Sequence, residues 1–179
     1  WFENVILLLK SKYTLVELIF FENLDNYKKE KGFCHITFDD GDITFYTVAY
    51  PILKKYNVPV TIFVSPKSAV NHENFWFQEV RDYDKNTMKN ILSKELSLSL
   101  EEIGETDFID ILKCLTITQI NEIITIYQKE TNILPKPFQN MNLAEILEVE
   151  KSGLVTVGAH TLNHPILKNE NDEICYKEI

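Results

Sequence analysis

With 179 residues, 45% of them hydrophobic, the chain has material for one domain with its own core. A formal net charge of -9, a pI near 5.0 and a single arginine, Arg81, exclude the clustered cationic surface that nucleic-acid phosphates require. No apolar run approaches the roughly 20 residues of a membrane span. Three cysteines (Cys34, Cys114, Cys175) with no C-x-x-C spacing point to neither a disulfide framework nor a thiolate zinc site. The flanks of Val5 to Leu9 do not resemble a signal peptide. The chain opens on Trp1 rather than Met, so that observation says nothing of compartment.

In chain order, Val5 to Leu9 is predicted helical, and Thr14 to Phe21 reads as a strand or a short helix. The polar stretch Asn23 to Lys31 is predicted helical, with Gly32 as its C-terminal breaker. Phe33 to Phe38 is apolar, β-branched and aromatic, the pattern of a buried strand. Asp42 can cap a following helix that carries Phe45, Val48, Ala49, Ile52 and Leu53 and ends near Asn57-Val58-Pro59. Val60 to Val64 is the next buried strand, stopped by Ser65-Pro66, so a parallel strand–helix–strand unit is expected. From Lys67 to about Thr131 the composition turns polar and helical after Phe75-Trp76-Phe77. Ile109, Leu112, Ile117, Ile120, Ile123, Ile124 and Tyr127 predict one or two amphipathic helices, an insertion packed beside the sheet. Pro135-Lys136-Pro137 is an extended connector. Asn142 to Lys151 is predicted helical, Gly153 stops it, and the strand Leu154 to Val157 delivers His160 to its C-terminal end. A last helical pattern covers Asn171 to Ile179.

Two motifs carry chemistry. Asp39 and Asp40 close the strand ending at Phe38, with Gly41 to turn the backbone. On its own, Asp-Asp-Gly is also an ordinary solvated turn. His160 and His164 close the later strand, with Thr161 placed to brace the loop and Pro165 behind. A divalent metal needs a carboxylate and two imidazoles, and hydrolysis needs a second carboxylate free to act as base. Together the two motifs supply both, each at a predicted strand end. His35 is expected to face away from the acidic pair, and His72 sits in a predicted exposed loop without an assigned role.

Thr37-Phe38-Asp39-Asp40-Gly41 and His160-Thr161-Leu162-Asn163-His164-Pro165 resemble the first two signature motifs of the polysaccharide deacetylases, carbohydrate esterase family 4. The resemblance covers roughly residues 33–66 and 142–167, and Phe75-Trp76-Phe77 with the insertion is similar to a branch tied to cell-surface polysaccharide genes. It implies a distorted (β/α) barrel with its site at the strands' C-terminal end. It implies metal ligation by Asp40, His160 and His164, most commonly of Zn2+, and Asp39 as general base. The implied reaction removes an N- or O-linked acetyl group from a sugar polymer.

The family's later motifs, including a further Leu-x-His that supplies the general acid, do not occur between His164 and Ile179. The expectation is therefore an α/β fold, a partial distorted barrel in one C-terminally truncated domain over 1–179, with a helical insertion over about 67–131. Such a fragment would bind metal, turn over acetylated sugars poorly, and risk self-association through open strand edges. A non-catalytic carbohydrate-binding or interaction domain on the same scaffold is the alternative, although a binder needs no base. A phosphoesterase reading lacks the additional ligands of a two-metal site, and an acidic surface repels polyanions.

Overall fold

Strand-forming runs joined through helices pair in parallel and dictate the core of this molecule. The computed structural model describes residues 1–26 and 31–179. These divide into two compact units, Trp1–His72 with Gln139–His160, and Glu73–Phe138 with Thr161–Ile179.

The first unit is α/β, with parallel strands throughout. A helix, Phe2–Lys12, leads into β1 (Tyr13–Leu15), which pairs in parallel with β2 (Gly32–Cys34). A separate three-stranded sheet has the order β3 (Ile36–Phe38), β4 (Val60–Val64), β5 (Val155–Ala159). Register aligns Phe38 with Ile62 and Ile62 with Val157, and continues to Val64 opposite Ala159. Val58, Val60, Ile62, Leu53, Val149 and Val155 form the buried centre, with the helices Tyr50–Tyr56 and Leu143–Lys151 contributing Leu53 and Val149. Asn142 caps the second of these helices in a reciprocal box with Glu145.

Several elements differ from expectation for identifiable reasons. The run Phe33 to Phe38 is not one buried strand: it breaks at His35 into β2 and β3, which lie in different sheets and are only partly buried. Both ring nitrogens of His35 are engaged, Nδ1 with the Val16 carbonyl at 2.6 Å and Nε2 with Thr61 Oγ1 at 2.9 Å. The imidazole therefore ties the chain after β1 to β4. Thr14 to Phe21 yields both alternatives in succession, β1 and then a 3-10 helix over Leu18–Asn26. Gly32 opens β2 opposite Tyr13 instead of ending a helix, and residues 27–30 of the helix predicted before it lie outside the described residues.

The helix after Asp42 also changes phase. Asp42 caps as expected, its carboxylate accepting from the Thr44 N–H at 2.8 Å. Phe45–Ala49 then form a π turn in which the Tyr50 N–H reaches back to the Phe45 carbonyl. Pro51 follows directly, and in a regular α-helix its ring would press on the carbonyl of Thr47 while offering no N–H. The wider turn relieves that conflict and rotates the buried face. Tyr50 is buried, whereas Val48 is 54% exposed.

The second unit is helical. Where one or two amphipathic helices were expected before Thr131, five occur: Trp76–Val80, Lys85–Glu95, Leu100–Ile103, Phe108–Leu112 and Ile117–Thr131. The last four begin at side-chain caps (Asp84, Ser99, Asp107, Thr116) that satisfy amides at each N-terminus. Leu112, Ile120, Ile123, Ile124 and Tyr127 are buried as their spacing implies, while Ile109 and Ile117 are only partly so. The tail joins this core. Glu170 accepts from the Ile117 N–H at 2.6 Å, and Asn169 Nδ2 donates to the carbonyls of Lys113 and Leu115. Asp172–Glu178 closes the unit as a helix capped by Asn171. Among the described residues no helix is long and apolar enough to cross a membrane.

Candidate metal centre

Parallel strands carry their following loops to a common edge, so β3, β4 and β5 bring Asp39-Asp40, Ser65 and His160 to one rim of the first unit. The backbone there is tightly held. The Gly41 N–H bonds the Asp39 carbonyl at 2.8 Å, and the Gly41 carbonyl accepts from Met141 at 2.7 Å. Asp40 itself is left-handed, φ 71°, a conformation Asp tolerates better than most residues. Gly41 follows at φ 79°, and a Cβ there would stand 3.0 Å from Val64 Cγ1. Only glycine satisfies both the dihedral and the approach to β4.

His160 is fixed from β4. Its N–H donates to the Val64 carbonyl at 2.9 Å, and its carbonyl accepts from Ser65 Oγ at 2.9 Å. Two residues earlier, Gly158 lies opposite Phe63, whose ring Cδ1 would be 2.6 Å from an added Cβ. Neither Ser65 nor Gly158 stood out in the sequence as a site residue. A serine before proline and a glycine within a strand are common signals whose meaning depends on cross-strand register.

With these constraints, His160 Nε2 lies 3.4 Å from Asp40 Oδ1, both side chains about one-third exposed. That separation is long for a charge-assisted hydrogen bond. It matches the ~3.3–3.4 Å between two donor atoms that each sit about 2.0–2.1 Å from one tetrahedral ion. A carboxylate and an imidazole at this spacing can thus share a divalent cation. Asp39 is exposed and lines a groove of about 370 Å³ with Phe2, Phe38, Asp42 and Phe45. His35 is committed to its two structural bonds, and His72 is an exposed left-handed residue ending the helix Pro66–Asn71.

His164 belongs to the second unit. Its ring centroid is 5.1 Å from those of Phe75 and Phe77, which stack on one another at 5.4 Å. Its N–H donates to Thr161 Oγ1 at 3.1 Å, the brace expected from sequence. Thr161 (φ 60°) and His164 (φ 54°) are both left-handed, and for β-branched Thr161 that is a strained state costing roughly 1–3 kcal/mol.

The whole of this rim lies inside a match to the polysaccharide deacetylase family model, which spans residues 26–179. The chain belongs to the polysaccharide deacetylase family. Among its relatives is a poly-beta-1,6-N-acetyl-D-glucosamine N-deacetylase of Staphylococcus aureus (strain MSSA476), 27% identical over 188 residues. That alignment covers 96% of this chain and 63% of the relative, so the chain spans under two thirds of that protein's length. A putative polysaccharide deacetylase, YxkH of Bacillus subtilis (strain 168), is 29% identical over 126 residues, 66% of this chain and 41% of that one.

Two solved structures share the fold. Streptococcus pyogenes deacetylase PplD in complex with acetate aligns with a TM-score of 0.53 and 19% identity, over 99% of this chain and 51% of that one. IcaB from Ammonifex degensii aligns with a TM-score of 0.50 and 18% identity, over 90% and 44% of the two chains.

Proposed function

We propose that this chain carries the metal ligands and general base of a polysaccharide N-deacetylase site. Asp40, His160 and His164 are the proposed ligands of one divalent ion, Zn2+, and Asp39 is the proposed general base. The observation that carries the reading is the Asp40–His160 separation of 3.4 Å, held by backbone bonds at the strand edge of a family member. His164 is four residues from His160 along the chain, close enough for a compact loop to present both imidazoles. One carboxylate and two imidazoles leave a coordination position open, the donor set of hydrolytic zinc.

A bound divalent ion supplies Lewis acidity and lowers the pKa of water toward neutrality. In the reaction proposed here, Asp39 takes the proton from the attacking water as its oxygen bonds the acetyl carbon. The amide C–N bond then breaks, acetate leaves, and the amine nitrogen takes up a proton. The substrate class is a polymer of N-acetylated glucosamine, by analogy with the named activity of the staphylococcal relatives. We assign the chain to a single deacetylase domain with a partial (β/α) barrel and the helical insertion at about 67–131.

Calorimetry tests the ligand set: Asp40→Ala and His164→Ala should abolish zinc binding, and His72→Ala should preserve it. Asp39→Asn should keep zinc and lower acetate release by about a hundred- to ten-thousand-fold. Undiminished acetate release from an N-acetylglucosamine oligomer would remove Asp39 from the base role.

A further inference from the structure

The loop that follows His160 is held by a charged group that the proposed mechanism does not use. Glu178 is a carboxylate with 5% of its surface exposed, on the helix Asp172–Glu178. Its Oε2 accepts from the N–H groups of Leu162 (3.1 Å) and Asn163 (2.8 Å), and its Oε1 accepts from Asn163 Nδ2 at 2.5 Å. The Glu178 backbone carbonyl also accepts from the Leu162 N–H, at 3.1 Å. Every one of these bonds ends on the two residues between Thr161 and His164, the two left-handed positions of the loop. A backbone that bends against its own preference twice in four residues needs bonds from outside to keep it there. Thr161 supplies one from within the loop, and the carboxylate and carbonyl of Glu178 supply others from outside it.

We propose that Glu178 is a positioning residue: it holds the Thr161–His164 backbone in the strained path that presents the His164 imidazole for metal binding. This rests on the metal reading above. Outer groups that orient metal ligands typically contribute about ten- to a hundred-fold in metal affinity. Glu178→Ala in the full chain should therefore weaken Zn2+ binding, measured by calorimetry, by about that factor. It should also speed hydrogen exchange at the Asn163 amide in the metal-free protein, whereas the Leu162 amide keeps its bond to the Glu178 carbonyl. Glu178→Gln keeps one oxygen to accept both backbone N–H groups and loses only the acceptor for Asn163 Nδ2. It should recover most of the affinity, which a merely charged role would not allow. Glu173→Ala, which removes the exposed Glu173–Lys177 pair of the same helix, should leave zinc affinity unchanged.

The outcomes separate cleanly. Wild-type protein that binds no zinc overturns the metal reading and this inference with it. Wild type that binds, with Glu178→Ala binding equally tightly, overturns the inference alone. Parallel losses in Glu178→Ala and Glu173→Ala would also overturn it, since they would show general loss of the helix. Should Glu178→Ala not fold, Glu178→Gln against wild type decides: unchanged exchange at the Asn163 amide with unchanged affinity supports the backbone clamp, and a full loss of affinity refutes it.

Discussion

Replacing Gly158 by alanine probes whether the strand that carries His160 is set by a single close approach. Gly158 on β5 is the register partner of Phe63 on β4. An added Cβ would lie 2.6 Å from Phe63 Cδ1 and 2.7 Å from Cε1. Carbon atoms pack at about 3.5–4.0 Å, so the overlap approaches 1 Å. The ring must swing off the sheet or the strands must part, and overpacking of this kind costs about 1–3 kcal/mol. For a chain of this length each kcal/mol lowers the melting midpoint by about 2–4 °C, so the expected fall is roughly 2–12 °C. His160 is two residues on and bonded to Val64, so zinc affinity should fall as well. Thermal melts and zinc-binding calorimetry on Gly158→Ala, Phe63→Leu and the double variant make the test specific. The double variant should recover stability relative to Gly158→Ala, because leucine vacates the space that the new methyl needs. An unchanged midpoint in Gly158→Ala, or a double variant no better than the single, would refute the reasoning.

Three further outcomes are expected. His35→Ala should keep zinc binding but lower stability by about 1–3 kcal/mol in denaturant melts, because it leaves the Val16 carbonyl and Thr61 hydroxyl without the ring. Gly41→Ala should weaken zinc binding and destabilise the protein, since it forces a side chain into φ 79° and onto Val64; calorimetry and thermal melts read both. The helical unit should lose stability in acid, because amide bonds at the helix caps hold Asp84, Glu102 and Asp107 below their ordinary values of 3.8, 4.5 and 3.8. A depressed carboxylate stabilises above its unfolded pKa and loses that contribution as pH falls through the folded one, so the loss begins near pH 4.5 and grows below it. Circular dichroism across that range should show Asp84→Asn, which still caps, with a weaker acid dependence.

Sequence alone determined the elements whose causes are local. Strand-forming residues at Val60–Val64 and 154–157 (the structure's strand runs over Val155–Ala159), a cap such as Asp42, and the left-handed Gly153 all act within a few residues of themselves. The candidate ligands were legible for the same reason, since a carboxylate pair and a histidine pair at strand ends are rare without a shared purpose. What only the tertiary structure decided depends on partners distant in the chain. The break at His35 needs Val16 and Thr61, and the rotated helix face needs Tyr50 to find the core after the π turn. The fixity of His160 needs Val64, Ser65 and the Phe63–Gly158 register. Glu178 looked like one more acidic residue in a polar terminal helix, because its three acceptor bonds go to a loop 15 and 16 residues earlier. A pattern of hydrophobicity reports which face of an element turns inward, and it carries no information on which buried charge a strained loop will meet there.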